Sequence, residues 1–308
     1  MSILRTMLVI VPVLSLSAFA AQGGYERAFE NDTMTLTQQG KPVLVYRLEN
    51  PPFKPYVKQL FSPSGANVLL DAPADHLHHH GLMFAIAVDD VDFWAETPTC
   101  GKQLFAGAIE NDDPGKFTGL SAFHDVRLNW VKEDKSVLLN ERRTLWLMNL
   151  EGVNATTIVW RSRLSLPEGK ESAKLTGSHY FGLGMRFVES MDRVVTFMNS
   201  EGAAGELVRG EERNTPANWC ACTGPIDGKP VTIAMFDAPT NPRHPAVWFT
   251  MPVTFAYMSA TLNLYKEPMT LLKGAPMELT YGVLVWDGEI GKEEIARAYE
   301  LWVKALNR

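Results

Sequence analysis

Apolar and polar residues alternate along most of this chain with the two-residue period of half-buried strands. Between residues 156 and 166, Ile158, Trp160, Ser162, Leu164 and Leu166 fall on one face, while Val159, Arg161 and Arg163 fall on the other. That pattern predicts a strand with one side in a core. Similar alternation, or enrichment in β-branched and aromatic residues, marks segments 43–46, 83–88, 126–131, 136–147, 194–198, 231–236, 246–251 and 277–286. Turn signals punctuate them, among them Ser62-Pro63-Ser64-Gly65, Asp113-Pro114-Gly115, Pro167-Glu168-Gly169 and Asp227-Gly228. Many strands without helical patterns between them predict an all-β fold, a large antiparallel β-sandwich. One helix is expected, at the C-terminus, where Ile295, Ala298, Tyr299, Trp302 and Leu306 form an apolar stripe and Glu293 and Glu294 occupy the first turn. No repeat, low-complexity tract or linker divides the chain, so residues 21–308 read as one domain.

The first twenty residues differ from the rest. A basic start is followed by an apolar run from Met7 to Leu16 and by Ser17-Ala18-Phe19-Ala20. These are the three parts of a cleavable export signal, with the cut expected after Ala20 and a periplasmic or secreted mature protein. Later apolar stretches are of strand length, so no membrane span is expected once the signal is removed. The net charge of −6 and the lack of a basic run argue against a nucleic-acid partner. Three cysteines, Cys100, Cys220 and Cys222, are too few for a disulfide framework. One bridge from Cys100 to either of the others is compatible with export, as is a packed pair at 220 and 222.

Candidate chemistry concentrates in one run, Asp75-His76-Leu77-His78-His79-His80-Gly81, before the strand at 82–88. Four of the seven histidines lie here, and imidazoles buried without partners are costly, which favours a site over plain packing. Extended backbone would send His76, His78 and His80 to one side and His79 to the other, unless Gly81 breaks the alternation. Neutral imidazoles with Asp75 as orienter suit general acid–base work. Two histidines two apart, with a third ligand from elsewhere, would hold a divalent metal. A solvated polar loop is the alternative to both.

Three further elements are candidates to converge on this run. Residues 175–186 place His179, Tyr180 and Arg186 among glycines, where backbone can approach a ligand. Pro242-Arg243-His244-Pro245 presents a cation and an imidazole on a proline-stiffened loop. Asp92-Phe93-Trp94 offers an aromatic face of the kind that packs on a sugar ring. Glu49, Glu110 and Glu141 are candidate carboxylates, with no pair spaced as a glycosidase would have it.

The Asp-His-x-His-His-x-Gly run, the following Asp-Phe-Trp, the Tyr-x-Gly-Leu-x-x-Arg element, Asn241-Pro242-Arg243-His244-Pro245 and the closing segment 274–288 resemble the PmoA-like family. These are exported bacterial proteins of unknown function labelled "methane oxygenase PmoA", whose motif usually carries an arginine where this chain has His80. The chain lacks the apolar helices of the polytopic membrane subunit that the label evokes. The segment 175–184 also resembles the Asn-His-x-Tyr-Phe-Asn-Leu element of aldose 1-epimerases, and the His-His-x-Gly run at 78–81 resembles their His-Gly-Gly element. This second resemblance implies a galactose mutarotase-like supersandwich in which His76 or His79 binds or protonates a sugar oxygen and His179 is the partner acid.

The expected protein is therefore an exported carbohydrate-active enzyme acting on a sugar or glycoside as an epimerase, lyase or hydrolase. Asp75, His76, His79 and His179 are its candidate catalytic residues. His78, Trp94, Tyr180, Arg186, Arg243 and His244 are its candidate substrate-binding residues. No cofactor is expected. The alternatives are a sugar-binding module without catalysis and a metal-dependent hydrolase or oxidase at the histidine cluster, with His76, His78 and His179 or His244 as ligands.

Overall fold

The computed structural model describes residues 19–21, 25–48, 53–109 and 120–307. Residues 1–18 of the expected signal, the turn at 113–115, Glu49 and Glu110 lie outside the described residues. Two large antiparallel sheets carry the fold. The larger has eleven strands and runs from Phe19–Ala21 through Tyr25–Glu30, Thr33–Gln38, Lys41–Arg47, Tyr56–Leu60, Leu82–Ala85, Gly182–Arg186, Tyr257–Thr261, Val247–Met251 and Glu212–Pro216 to Glu206–Arg209. The second has eight strands, in the order Thr196–Asn199, Trp219–Ile226, Lys229–Asp237, Met277–Asp287, Thr156–Ser165, Val137–Met148, Leu120–Val131 and Lys102–Ala108. A four-stranded sheet of Met269–Leu272, Ser172–Thr176, Ala87–Val88 and Val91–Asp92 completes the strand set. This is the expected large antiparallel β-sandwich with a C-terminal helix.

The alternating strands bury their apolar faces between the two large sheets. Phe84, Leu183, Trp248 and Met258 from one meet Leu128, Trp130, Trp160 and Val283 from the other in a single core. The segment expected as one strand at 83–88 breaks at Ile86, and its two parts join different sheets. Burial on every side explains why its residues read as a continuous apolar run.

The helix Lys292–Leu306 matches its expected bounds and covers part of the outward face of the eight-stranded sheet. Ile295, Ala298 and Trp302 pack there against Trp146, Val159, Phe236, Leu284 and Trp286. Val159, assigned by alternation to a polar face, is thus buried under the helix, because the sheet is half-covered on its second side.

One ion pair lies inside the sandwich. Glu141 and Arg143, two apart on the same inward face, are both fully buried in their side chains. The guanidinium donates from Nε and from one terminal nitrogen to the two Glu141 oxygens at 2.8 Å each. It then reaches across the sandwich to the Pro55 carbonyl at 2.9 Å and, within its own sheet, to Gln103 Oε1 at 2.8 Å, and Gln103 in turn donates across to the Phe84 carbonyl at 2.8 Å. Glu141 also accepts from Trp130 Nε1 and Ser162 Oγ, so every polar atom of the pair is engaged. Glu141 is therefore a structural anchor and not a carboxylate that meets substrate. The three cysteines are free and buried, so no bridge joins Cys100 to Cys220 or Cys222.

Breaking the pair should be severe, because Arg143 would keep its charge with nowhere to place it. Glu141→Gln is expected to lower stability by about 3–5 kcal/mol in urea denaturation, while a polar-to-polar change at the surface would stay within about 0.5 kcal/mol. Trp302→Ala should lose about 3–5 kcal/mol, since its ring is fully buried and no side chain from Gly282 can fill the gap.

Candidate functional site

The loop before strand Leu82–Ala85 is not extended. His76 N donates to Pro73 O and His79 N to His76 O, giving two consecutive turns, closed where Ala72 N donates to His79 O. The turns bring His76, His78 and His79 together. The rings of His76 and His79 stack at 4.6 Å and 18°, and His78 meets them edge-on at 5.8 and 4.6 Å. The alternation expected for this run, with His79 alone on its side, is corrected by this turn geometry. Gly81 permits the loop to close: a Cβ there would lie 2.1 Å from the Val57 carbonyl oxygen.

His80 leaves the cluster and is buried on the other side of the loop. Its Nδ1 is 2.8 Å from Asp71 Oδ1 and its Nε2 3.1 Å from Glu96 Oε1, with the Tyr56 ring stacked on it at 4.2 Å. Burial alone would lower its pKa, but the two carboxylate hydrogen bonds outweigh burial and raise it. Lys54, buried, holds the same Glu96 oxygen at 2.7 Å and donates to the Trp94 carbonyl. His80 is a brace under the site.

The three clustered rings form one wall of a cleft of about 280 Å³, which Trp94, Tyr180, Arg209, Glu212, Phe249, Met251, Phe255 and Tyr257 complete. Its far wall is the hairpin Glu206–Arg209 to Glu212–Pro216 at the sheet edge. Glu212 is buried; its Oε1 accepts from Arg209, and its Oε2 lies 3.4 Å from His179 Nε2. His179 stands at the turn before Gly182–Arg186 and packs against Tyr180 and Phe249. Trp94 is only 1 % exposed and stacks on Phe181 at 5.2 Å, so it presents little free face to a sugar. Gly184 serves this aromatic packing: a Cβ there would collide with the Tyr257 hydroxyl at 1.8 Å. The glycines of this element admit neighbouring protein rather than ligand.

The cleft is an environment of neutral imidazoles. Burial, reinforced by His78 and His76 beside it, drives the pKa of His79 down to about 2. Burial lowers His78, with Lys54 adding to the effect, and lowers His179 against the pull of Glu212. His76 is the more open ring, with 35 % of its side chain exposed, and its Nδ1 meets Asp75 Oδ2 at 3.0 Å. Three buried polar atoms here, His79 Nδ1, Trp94 Nε1 and Tyr257 Oη, find no hydrogen-bond partner among the described residues, and His179 Nε2 and Glu212 Oε2 have only each other, at 3.4 Å.

The sequence-derived set divides accordingly. Asp75, His76, His78, His79, Trp94, His179 and Tyr180 gather at or beside the cleft. Arg186 lies behind it, buried beneath Phe255 at 4.1 Å and donating to Asp192 and to the Ala256 carbonyl. It is in no position to grip a hydroxyl. Arg243 and His244 are elsewhere: Arg243 caps the carbonyls of Leu262 and Pro268, and His244 Nδ1 pairs with Asp237 Oδ2 at 2.7 Å. Among the described residues no three His, Cys, Asp or Glu side chains converge as metal ligands, and the pairing of His244 with Asp237 removes it from the set expected for that role. Sequence reading missed Glu212, Arg209, Phe249, Phe255 and Tyr257. Glu212 carries no motif; only the short Gly210-Glu211 turn, which forces the hairpin, hints at it.

An all-β sandwich with a histidine-lined, aromatic-floored cleft at one sheet is thus the class of protein. The chain belongs to the family of unknown function DUF6807, whose model matches residues 33–300. No curated protein matches the sequence. Among solved structures it is similar to the GH36 α-galactosidase AgaA of Geobacillus stearothermophilus in complex with raffinose, with a TM-score of 0.45 and 11 % identity over 94 % of this chain and 43 % of that one. It is also similar to a putative aldose 1-epimerase of Escherichia coli K12, with a TM-score of 0.38 and 10 % identity over 88 % of this chain and 98 % of that one. The chain spans about two fifths of the length of the α-galactosidase.

The depressed pKa of His79 has a consequence for stability. The unfolded chain binds a proton at this residue near pH 6.5, whereas the folded chain binds one only near about 2. Stability present above pH 6.5 therefore drains as the pH falls through that window. His79→Asn should flatten the fall of Tm between pH 6.5 and 4; a Tm-versus-pH slope equal to that of the unsubstituted protein would contradict the assignment.

Proposed function

We propose that this protein is a carbohydrate-active enzyme that moves protons at the oxygens of a single sugar ring held in the cleft. The observation that carries this reading is that His79 Nδ1, Trp94 Nε1 and Tyr257 Oη, buried around one aromatic-floored cleft, have no hydrogen-bond partner among the described residues, while Glu212 Oε2 and His179 Nε2 face each other at 3.4 Å beside it. Buried polar groups are normally paired, and a ligand with several hydroxyls and an apolar ring face would pair these. A volume of about 280 Å³ is near the lower end of ligand pockets, which suits one ring better than a long chain.

In this reading Glu212 is the base. Arg209 fixes its Oε1, leaving Oε2 to take a proton from a sugar hydroxyl, with His179 beside it to share the resulting hydrogen bond. His76, open to solvent and oriented by Asp75, returns a proton to an oxygen on the opposite wall. His79 and His78 stay neutral and hydrogen-bond the ring substituents. Among the described residues that line the cleft, Glu212 is the single carboxylate. Glycoside cleavage normally uses two, so the arrangement favours isomerisation at a hemiacetal, the galactose mutarotase-like reading, over hydrolysis. Export directed by residues 1–20 belongs to the same proposal and is carried by their sequence pattern, as is the PmoA-like motif that supplies three of the cleft's histidines.

Glu212→Gln keeps the shape and removes the base. In proton-exchange NMR of anomeric interconversion over a panel of free aldoses, the unsubstituted protein should accelerate one sugar. The variant should lose about 10²–10⁴-fold of that rate while its Tm stays close to that of the unsubstituted protein. Full activity in Glu212→Gln, or acceleration of no sugar by the unsubstituted protein, would refute the reading.

A further inference from the structure

The outward face of the eight-stranded sheet is only half-covered by the helix. The uncovered half carries Arg127, Arg142 and Arg163, all exposed. They lie directly opposite one another on three neighbouring strands, Arg127 against Arg142 and Arg142 against Arg163. With strands about 4.8 Å apart, the row spans roughly 10 Å. Like charges in direct cross-strand register weaken a sheet, so the folding of these strands does not account for the row. The adjacent rung carries Asn129, Asn140 and Ser165, again in register. Between the two rungs runs a groove of about 520 Å³.

Arg142 is held in place. Its Nε lies 3.0 and 2.9 Å from the two oxygens of Asp125, whose side chain is fully buried, and a terminal nitrogen donates to the same carboxylate. Arg127 and Arg163 form no ion pair among the described residues. Glu278, opposite Arg163 on the next strand, pairs with Arg161 at 3.5 Å instead.

We propose that this groove is a second binding surface, for an acidic oligosaccharide whose uronate carboxylates are paired by the arginines and whose hydroxyls are met by the amides and the serine. A guanidinium fork matches a carboxylate with two parallel hydrogen bonds, which a row of lysines would not do. Nucleic acid fits less well. The described groove residues include no aromatic ring on which a base could stack. The surface stands on different residues from the cleft and does not depend on the reaction proposed there.

The test is isothermal titration of the full chain with tetragalacturonate, with its fully methyl-esterified counterpart and with a short DNA duplex, at low and at high salt. Arg127→Ala/Arg163→Ala is the surface variant and Glu212→Gln the cleft variant. Both substituted arginines are exposed and face like charges, so circular dichroism should match the unsubstituted protein and Tm should not fall. The acidic tetramer should bind, its ester and the duplex should not, and affinity should fall roughly tenfold or more in the arginine variant, in line with the loss of charge-assisted hydrogen bonds. Glu212→Gln should leave this binding unchanged. No binding of the acidic tetramer, equal binding of the duplex, retention of affinity in the arginine variant, or its loss in Glu212→Gln would each overturn the proposal.

Discussion

The buried pair of Glu141 and Arg143 is the constraint on which the rest of the molecule depends. An ion pair in an apolar interior is tolerable only where every donor and acceptor is met, and here Gln103, Trp130 and Ser162 of its own sheet are joined by Tyr46 of the opposite sheet and by the Pro55 carbonyl just before Tyr56–Leu60. That requirement fixes how the sheets face each other. It also reaches the cleft: the carbonyl that Arg143 binds belongs to Pro55, next to Lys54, and Lys54 joins Glu96, which joins His80. A continuous polar framework thus runs from the middle of the sandwich to the underside of the histidine loop. The same loop that presents His76, His78 and His79 to the cleft is held from behind by His80, whose ring nitrogens meet Asp71 and Glu96.

The cleft is built on the opposite principle. Beneath it, the polar atoms of Glu141, Arg143 and His80 are paired; around it, several side-chain atoms have no partner among the described residues. Desolvation without compensation is destabilising, and such groups persist only because the surrounding aromatic packing of Trp94, Phe181, Phe249 and Tyr257 holds them. Stability and site are therefore separated in space within one network. Depressed imidazole pKa values follow from the same packing, since burial penalises the charged form.

The two faces of the eight-stranded sheet show a related division. Its inner face is apolar apart from His124 and the ion pair with its partners, while its outer face passes from the tryptophans beneath the helix to the arginine row beyond it. The helix ends the apolar region, and charge begins where its cover stops. Arg161 marks the boundary, lying over the Trp146 ring at 5.0 Å and pairing with Glu278.

Periodicity alone determined the all-β class, the strand at 156–165 and the helix Lys292–Leu306, because alternation and the helical stripe are local consequences of which side chains meet the core. Composition marked the histidine run, since four imidazoles in five residues are hard to bury otherwise. Tertiary structure decided how that run is used. Two turns, invisible to an alternation rule, grouped three rings and turned His80 away. It decided equally that Arg186, Arg243 and His244 satisfy carbonyls and carboxylates of the scaffold, because an exposed-looking basic residue in a loop does not announce its acceptor. Glu212 shows the same limit from the other direction. Its partner His179 lies thirty-three positions away in the sequence, and only the pairing of sheet strands brings them to 3.4 Å.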